Sequence, residues 1–403
     1  MNQPPAASRA AFVEFVILMA LLTSLIALSI DAMLPVLPQI GETLAVAEPN
    51  HNQYVITVFF FGFAIGQLFY GPISDSTGRK PAIYVGLFLF AVGALISMTA
   101  TNFAMMLFGR ALQGIGAAGP RTVSLAMVRD QYEGAAMARV MSFVMAVFIL
   151  VPVIAPSLGQ GIYLLAGWRT IYATFIILAL IGFLLLWLRQ AETLAVEHRL
   201  PLSLGRITGA MIEALTNRTA FIYILTSGLI FGGFIGYLAS SQQIFTAYGQ
   251  EALFPLFFAS LAIAIGISSI INTKLVMRFG MRPLSIFALA AIAVLSVIFL
   301  LAGIPYGGLP PLVLFMAYAG LVFFGIGILI ANLMALAMEP LGHIAGAGAA
   351  VVGFLSTFIA LALGTVIGQS FNGTPMPLAA GFSLLGLISV AVIIYGSRAE
   401  RAA

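Results

Sequence analysis

Apolar runs, each long enough to cross a bilayer as a helix of about 20 residues, follow one another through almost the whole chain. Of 403 residues, 62% are hydrophobic and 7% are charged, whereas a soluble domain carries about 25% charged residues. A soluble fold cannot bury that much apolar surface, and the roughly ten-residue alternating segments of a β-barrel are not visible. The sequence therefore predicts an all-α membrane protein.

Polar breaks and Pro/Gly clusters divide the chain into twelve predicted spans with one long polar passage in the middle. The spans are 12–40, 52–73, 81–100, 102–128, 138–163, 167–188, 219–246, 252–275, 283–302, 311–338, 341–370 and 377–396. We therefore predict an N-terminal six-helix bundle at 1–188, a cytoplasmic linker at 189–218 and a C-terminal six-helix bundle at 219–403.

One orientation places nearly every Lys and Arg on the same side of the membrane. With the N-terminus inside, that side holds Arg79, Lys80, Arg129, the linker and the C-terminal Arg398, and the opposite loops hold almost nothing basic. Short cytoplasmic loops retain Lys and Arg. This predicts a multi-pass inner-membrane protein with both termini in the cytoplasm.

The two halves of the sequence share a weak repeat at about half the chain length. Gly78, Lys80 and Pro81 correspond to Gly280, Arg282 and Pro283, although the second copy lacks the other charges of the first. Two parallel repeats of this kind place a binding site between them near the middle of the membrane.

Charge is densest in the stretch GPISDSTGRKP, from Gly71 to Pro81, between two apolar runs. Such charge cannot lie in hydrocarbon, so we predict a tight connection at a membrane face, closed by its glycines and prolines. Asp75 could meet the positive N-terminal end of the eleventh span there and form a latch between the halves. The alternative is a surface loop whose charges only anchor the topology.

Three ionisable side chains lie well inside predicted spans, namely Asp31, Arg110 and Arg121. Such residues cost several kcal/mol in hydrocarbon unless they face a partner or a cavity, so each is a functional hypothesis. Asp31 and Arg110 lie roughly 12 to 14 Å from the outer face at 1.5 Å per residue, so we predict that they pair and separate during coupling. Alternatively, Pro35 and Pro38 end the first helix early, Asp31 is solvated, and Arg110 only bridges helices. Arg121 most simply reaches the cytoplasmic headgroups.

Several neutral polar residues in the spans are predicted to line a largely apolar substrate cavity together with Asp31 and Arg110. They are Gln113, Tyr237, Gln242, Gln243 and Asn332. The alternative is that these side chains hold helices together.

Other function classes find no support in the sequence. There is no Walker loop and no hydrolase or metalloprotease signature, and the chain has no cysteine and only three histidines. We therefore predict that the chain is not an enzyme and that it needs no cofactor or metal. The net charge of +4 is spread over loops, so no nucleic-acid partner is expected.

The motifs resemble those of the major facilitator superfamily. The charged loop is similar to the signature between its second and third helices, and FGRALQGIGAAG resembles the motif that carries its membrane-embedded arginine, here Arg110. SIDAMLPVLPQI and an AP-x-x-G followed by GWRTIY are similar to the bicyclomycin-resistance (Bcr/CflA) branch of drug/proton antiporters. The loop matches are Gly71, Asp75, Gly78, Arg79 and Lys80.

The resemblance implies two six-helix bundles that rock about a central cavity, with Asp31 as the proton-sensing acid. It also implies that Asp130 joins Asp75 and Arg79 in a latch that holds the outward-facing state. The departures are Ala155 in place of Gly before Pro156, Gln160 after Gly159, and Ser76 in place of a common basic residue.

The leading hypothesis is a proton-coupled exporter of small amphipathic compounds that works by alternating access. Its partners would be a small-molecule substrate, protons and the lipid bilayer, and it would act as a monomer. One alternative is a selective transporter of a nucleoside, an amino acid or an organic anion, which could work as a proton symporter. Another is a non-transporting membrane receptor or scaffold.

Overall fold

A computed structural model describes the backbone of residues 9–402 and the side chains of residues 12–396. Twelve helices of 20 residues or more run through this part of the chain, and no strand occurs in it. The predicted cytoplasmic Arg398 has its side chain outside the described part. The first half contains α1 (Arg9–Asp31), the short α2 (Leu37–Thr43), α3 (Tyr54–Thr77), α4 (Arg79–Met98), α5 (Phe103–Gln131), α6 (Gly134–Ala166) and α7 (Trp168–Arg189).

The second half follows a short linker helix, α8 (Leu204–Thr216). Its long helices are α9 (Arg218–Ala247), α10 (Phe254–Phe279), α11 (Met281–Gly303), α12 (Leu312–Met338), α13 (Ala345–Gln369) and α14 (Met376–Ala402). Ten segments of the described chain are long and apolar enough to span a membrane, and one of them, Leu312–Gln369, contains both α12 and α13. The helix α5 is not among the ten, because its arginines, Gln113 and glycines lower its mean hydropathy.

Both halves repeat one packing pattern. In the first half, α1 packs against α5, α6 and α7, while α4 packs against α5 and α7, and α3 packs against α5. In the second half, α9 packs against α12, α13 and α14, while α11 packs against α12 and α14, and α10 packs against α12. The predicted fold class, twelve helices in two six-helix bundles, is therefore confirmed, while the residue boundaries of the domains stay a prediction.

The repeated glycines make the same turn in both bundles. Gly78 joins α3 to α4 with φ of 105°, and Gly280 joins α10 to α11 with φ of 81°. A side chain is strained at such positive φ values, so glycine is needed where one helix ends and the next begins at once.

Two equivalent helix pairs join the bundles, α3 with α13 and α10 with α6. The first pair is close-packed and partly polar: Thr357 Oγ1 donates to Gln67 Oε1 at 3.2 Å. In the second pair, a Cβ atom placed on Gly266 would lie 2.7 Å from Ile149. Small residues thus permit the close approach of the two bundles.

The linker is partly helical, which the sequence analysis did not predict. Besides α8 it contains a 3-10 turn at Val196–His198. The helix α8 packs against α9 and α13, with Ile207, Ala210 and Ala214 buried. Glu213 of α8 also pairs with His343, which precedes α13, at 2.9 Å.

The two ends of the molecule are distinguished below by their residues. The linker end holds the linker together with Asp75, Arg79 and Asp130, and the far end holds Asn50, Gln53 and Gln369. The helix α1 begins at the linker end, where Arg189 Nε lies 3.1 Å from Glu14 Oε1.

Candidate functional site

Asp31 is the last residue of α1 and is buried, with 4% of its surface exposed. The predicted span 12–40 is found as one apolar segment, Phe12–Thr43, but it is not one continuous helix, since a turn, the 3-10 helix Leu34–Val36 and α2 follow Asp31. The reason is that Pro35 has no backbone N–H to donate to the carbonyl oxygen of Asp31, whereas Pro38 lies in the first turn of α2, where no such donor is needed. Early helix termination does not expose Asp31 to solvent.

The end of α1 is held by a close approach of α6. A Cβ atom placed on Gly159 would lie 1.9 Å from the carbonyl oxygen of Ala32, the residue after Asp31. Only glycine permits this backbone contact. The AP-x-x-G motif of α6 therefore positions the carboxylate indirectly, through the main chain next to it.

Tyr237, on the second bundle, lies near Asp31 and is buried, with 2% exposed. Its hydroxyl has no hydrogen-bond partner among the described residues. Its ring stacks on Phe258 at 5.9 Å and meets Phe323 edge-on at 4.7 Å between centroids. The acid thus lies at the boundary between the bundles, opposite an aromatic cluster.

Arg110 is fully buried; its Nε and Nη1 donate inside the first bundle, and its Nη2 has no partner among the described residues. Its Nε donates to the carbonyl oxygen of Val55 at 2.9 Å, and its Nη1 donates to Gln113 Oε1 at 2.7 Å. The guanidinium also lies 4.4 Å from the ring centroid of Phe59.

The expected pair of Asp31 and Arg110 is absent from this conformation. Neither side chain makes an ion pair within the described part of the chain. Matching depth was the argument for pairing, but depth does not determine the direction of a side chain around its helix. Val55, Gln113 and Phe59 surround the guanidinium instead.

The remaining residues of the expected cavity wall separate into two groups. Asn332 and Asn272 exchange two amide hydrogen bonds, at 3.0 and 3.1 Å, between α12 and α10. Gln113 is engaged within its own helix, where its Oε1 accepts from Arg110, and its Nε2 has no partner among the described residues. By contrast, Gln242 and Gln243 lie near the far end of α9, where both line a cavity between the bundles.

A cluster of four amide side chains joins the bundles at the far end, and we call Asn50, Gln53, Gln243 and Gln369 the amide clasp. Gln53 Nε2 donates to Gln243 Oε1 at 2.6 Å and to the carbonyl oxygen of Gly368 at 2.9 Å. Gln243 Nε2 donates to Asn50 Oδ1 at 2.9 Å, and Gln369 Nε2 donates to the carbonyl oxygen of Asn50 at 2.8 Å. Only Gln243 was singled out from the sequence, because Gln53 and Gln369 lie at the very ends of predicted spans and Asn50 lies in a loop.

At the linker end, Arg79 binds two carboxylates, one from the Gly71–Pro81 stretch and one from the end of α5. Its Nη1 binds Asp75 at 2.5 Å and Ser74 at 2.9 Å, and its Nε binds Asp130 at 2.8 Å. The three charged residues whose association the resemblance implied therefore lie together. Their role as a latch remains a prediction.

Asp75 also lies beside the second bundle. A Cβ atom on Gly346, in the first turn of α13, would be 3.8 Å from Asp75 Oδ2. The carboxylate thus faces the positive end of that helix. In addition, the backbone N–H of Leu200 in the linker donates to the carbonyl oxygen of Asp75 at 2.9 Å.

Glu192 is a further member of this network that the sequence analysis missed. Its two carboxylate oxygens accept the backbone N–H groups of Arg79 and Lys80 at 2.9 and 3.0 Å. These are free donors at the start of α4, so Glu192 acts as its cap from 113 residues away in sequence. Lys80 Nζ donates in turn to the carbonyl oxygen of Gln190 at 2.6 Å.

We expect Glu192→Gln to lower the melting temperature of the detergent-solubilised protein. The glutamine side chain has one neutral acceptor oxygen in place of two charged ones, so it caps α4 less well. The expected loss in the free energy of unfolding is about 1 kcal/mol. Glu197→Gln is the matched control, because Glu197 lies exposed in the same linker. Equal melting temperatures for the two variants would contradict the capping role.

A family model described as Major Facilitator Superfamily matches residues 19–365 of the chain. The chain belongs to the major facilitator superfamily. It is 30% identical over 395 residues to an uncharacterized MFS-type transporter, YdgK, of Bacillus subtilis (strain 168). The alignment covers 95% of each of the two chains.

Two resistance proteins are also similar to this superfamily member. A bicyclomycin resistance protein homolog of Haemophilus influenzae is 26% identical over 386 residues, covering 94% of this chain and 95% of that protein. The multidrug resistance protein MdtL of Salmonella heidelberg is 34% identical over 190 residues, 47% of each chain. The resemblance to the bicyclomycin-resistance branch is thus confirmed.

Solved structures agree with the superfamily fold. The chain is similar to the xylose transporter XylE of E. coli, with a TM-score of 0.73 and 13% identity, over 95% of this chain and 97% of that one. It is also similar to the human organic anion transporter MFSD10, with a TM-score of 0.70 and 19% identity, over 97% and 100% of the two chains. At these identities the likeness shows the fold alone.

This membership makes the chain a multi-pass membrane transporter for small molecules and not an enzyme. The described residues include no group of three or more His, Asp or Glu side chains that could hold a metal ion.

Proposed function

We propose that this transporter exports small amphipathic compounds in exchange for protons, by alternating access between its two bundles. The observation that carries the proposal is the burial of Asp31 at the bundle boundary, with no cation beside it among the described residues. A buried acid of this kind is a proton or substrate site by default. The resistance relatives support export of drug-like compounds.

The proposed orientation puts the linker end in the cytoplasm. Arg79, Lys80, Arg189 and most other basic side chains lie there, as the charge rule for short loops requires. Both termini are then cytoplasmic, the membrane is the inner membrane, and the far end faces outward. One chain contains both bundles, so the working unit is a monomer.

Coupling would follow from the position of Asp31 opposite Tyr237. A proton taken up from outside neutralises the carboxylate at the bundle boundary, and its release inward accompanies the binding of cargo. Uptake or release of this proton changes the charge that the first bundle presents to the aromatic cluster of the second bundle. That cluster consists of Tyr237, Phe258 and Phe323. That cluster suits the apolar body of an amphipathic compound.

Arg121 supports the second candidate function, selective transport of an organic anion. Its Nη1 is buried without a partner among the described residues, and its guanidinium lies 5.0 Å from the ring centroid of Phe148. Anionic cargo whose transport is lost in Arg121→Gln would favour this alternative.

The test uses purified protein in liposomes that contain a pH-sensitive dye. A panel of cationic, neutral and anionic compounds is applied with and without an imposed pH gradient. We expect amphipathic compounds to drive proton movement in the opposite direction, and their accumulation to stop when the gradient is dissipated. Protons moving in the same direction as cargo would indicate a symporter. A lack of flux for every compound would favour the receptor or scaffold hypothesis.

A further inference from the structure

A cleft of 720 Å³ lies between the bundles at the far end, and we call it the far-end cleft. The first bundle contributes Pro38, Gln53 and Tyr163 to its wall, and the second contributes Gln242, Glu251 and Phe371. The volume is in the range that holds a drug-sized molecule. Asp31 itself is not among the residues that line the cleft.

The chemistry of the wall favours an amphipathic cation. Prolines, alanines and aromatic rings supply most of the surface, and amides supply the polar groups. Glu251 is the one charged residue among the described side chains of the wall, and none of them is basic. Tyr163 and Phe371 add ring faces, which attract cations.

The wall also contains part of the amide clasp. Gln53 and Gln243 both line the cleft and bind each other across the bundle boundary at 2.6 Å. A ligand in the cleft contacts both bundles while the amide clasp is closed. When the far ends separate, the ligand loses its contacts with one of the two bundles. A ligand that binds one conformation better shifts the population toward it.

We propose that the far-end cleft binds amphipathic monocations from the far-end side, and that their binding holds the far end closed. Binding there is thus inhibitory, because alternating access requires the far ends to separate. The inference depends on the movement of two bundles, but not on the cargo, the direction of transport or the coupling to protons.

Binding is tested by protection of a single cysteine, because the chain contains none. Ala252→Cys places a thiol in the cleft wall, and Ala47→Cys places one at the far end outside it. Tetraphenylphosphonium is expected to slow maleimide labelling of Ala252→Cys and not that of Ala47→Cys. Tetraphenylborate, which has a similar size and the opposite charge, is expected to protect much less.

Charge dependence is tested by adding Glu251→Gln to the Ala252→Cys variant. The protecting concentration of tetraphenylphosphonium is expected to rise about two- to fivefold, the effect of losing one partly exposed charge contact. Glu42→Gln, which removes an exposed acid outside the cleft, is the matched control. Equal protection at both cysteines, or equal protection by both ions, would overturn the site.

Closure is tested by the distance between spin labels at Ala47→Cys and Tyr306→Cys, which lie on far-end loops of different bundles. Tetraphenylphosphonium is expected to increase the population at the shorter distance, and Glu251→Gln to reduce this response. An unchanged distribution, or a shift to longer distances, would overturn closure even if the thiol is protected.

Discussion

Replacing Asp31 by asparagine is expected to reduce cargo-driven proton movement to the level of protein-free liposomes. The amide has nearly the same shape, but it cannot release or take up the proton that the proposed exchange requires. Binding of cargo and the melting temperature should change much less, because Asp31 makes no ion pair with the described residues that the substitution would break. Dye fluorescence inside proteoliposomes measures the effect directly.

Glu14→Gln is the control for this prediction. Glu14 is the other acid of α1, and it pairs with Arg189 at the linker end, where its side chain is 38% exposed. Proton movement should survive its replacement. If Asp31→Asn retained wild-type proton movement, Asp31 would have no part in coupling, and the proposed function would lose its main support.

Gly159→Ala is expected to destabilise the protein and to reduce transport strongly. The added Cβ atom would lie 1.9 Å from the carbonyl oxygen of Ala32, so α6 and the end of α1 must separate. Overpacking of this kind costs about 1–3 kcal/mol or more, and backbone atoms cannot rotate away as a side chain can. The shift also moves Asp31, whose peptide unit adjoins the contact.

Gly161→Ala, two residues further along α6, provides the comparison. No atom lies within 4 Å of a Cβ atom placed there. Alanine is also the better helix former by about 1 kcal/mol, so this variant should be as stable as the wild type or slightly more stable. Melting temperatures and initial transport rates measure both effects, and similar losses in the two variants would show that the contact with Ala32 is unimportant.

Local signals in the sequence were sufficient to predict the fold. Apolar runs of spanning length and the glycine turns at Gly78 and Gly280 depend on neighbouring residues, and the structure has helices at the predicted positions. The first span was also found, but its helix ends at Asp31, because Pro35 cannot donate a hydrogen bond to the carbonyl oxygen of that residue.

The contacts of the candidate site depended on long-range geometry and could not be predicted from local patterns. Glu192 was one charge among many in the linker until folding brought it to the start of α4. The amide clasp joins residues that are separated by up to 319 positions. Likewise, the depth of Asp31 and Arg110 followed from counting residues, but their true neighbours depend on the rotation of each helix.

The two ends of the molecule are fastened by different chemistry. Neutral amides close the far end, whereas at the linker end the Asp75 carboxylate, which is 33% exposed, faces the positive first turn of α13 in the other bundle. Dissolved salt screens exposed charges and leaves amide hydrogen bonds almost unaffected. Ionic strength would therefore loosen the linker end selectively, so the balance between the two closures depends on the electrolyte that bathes one side of the membrane.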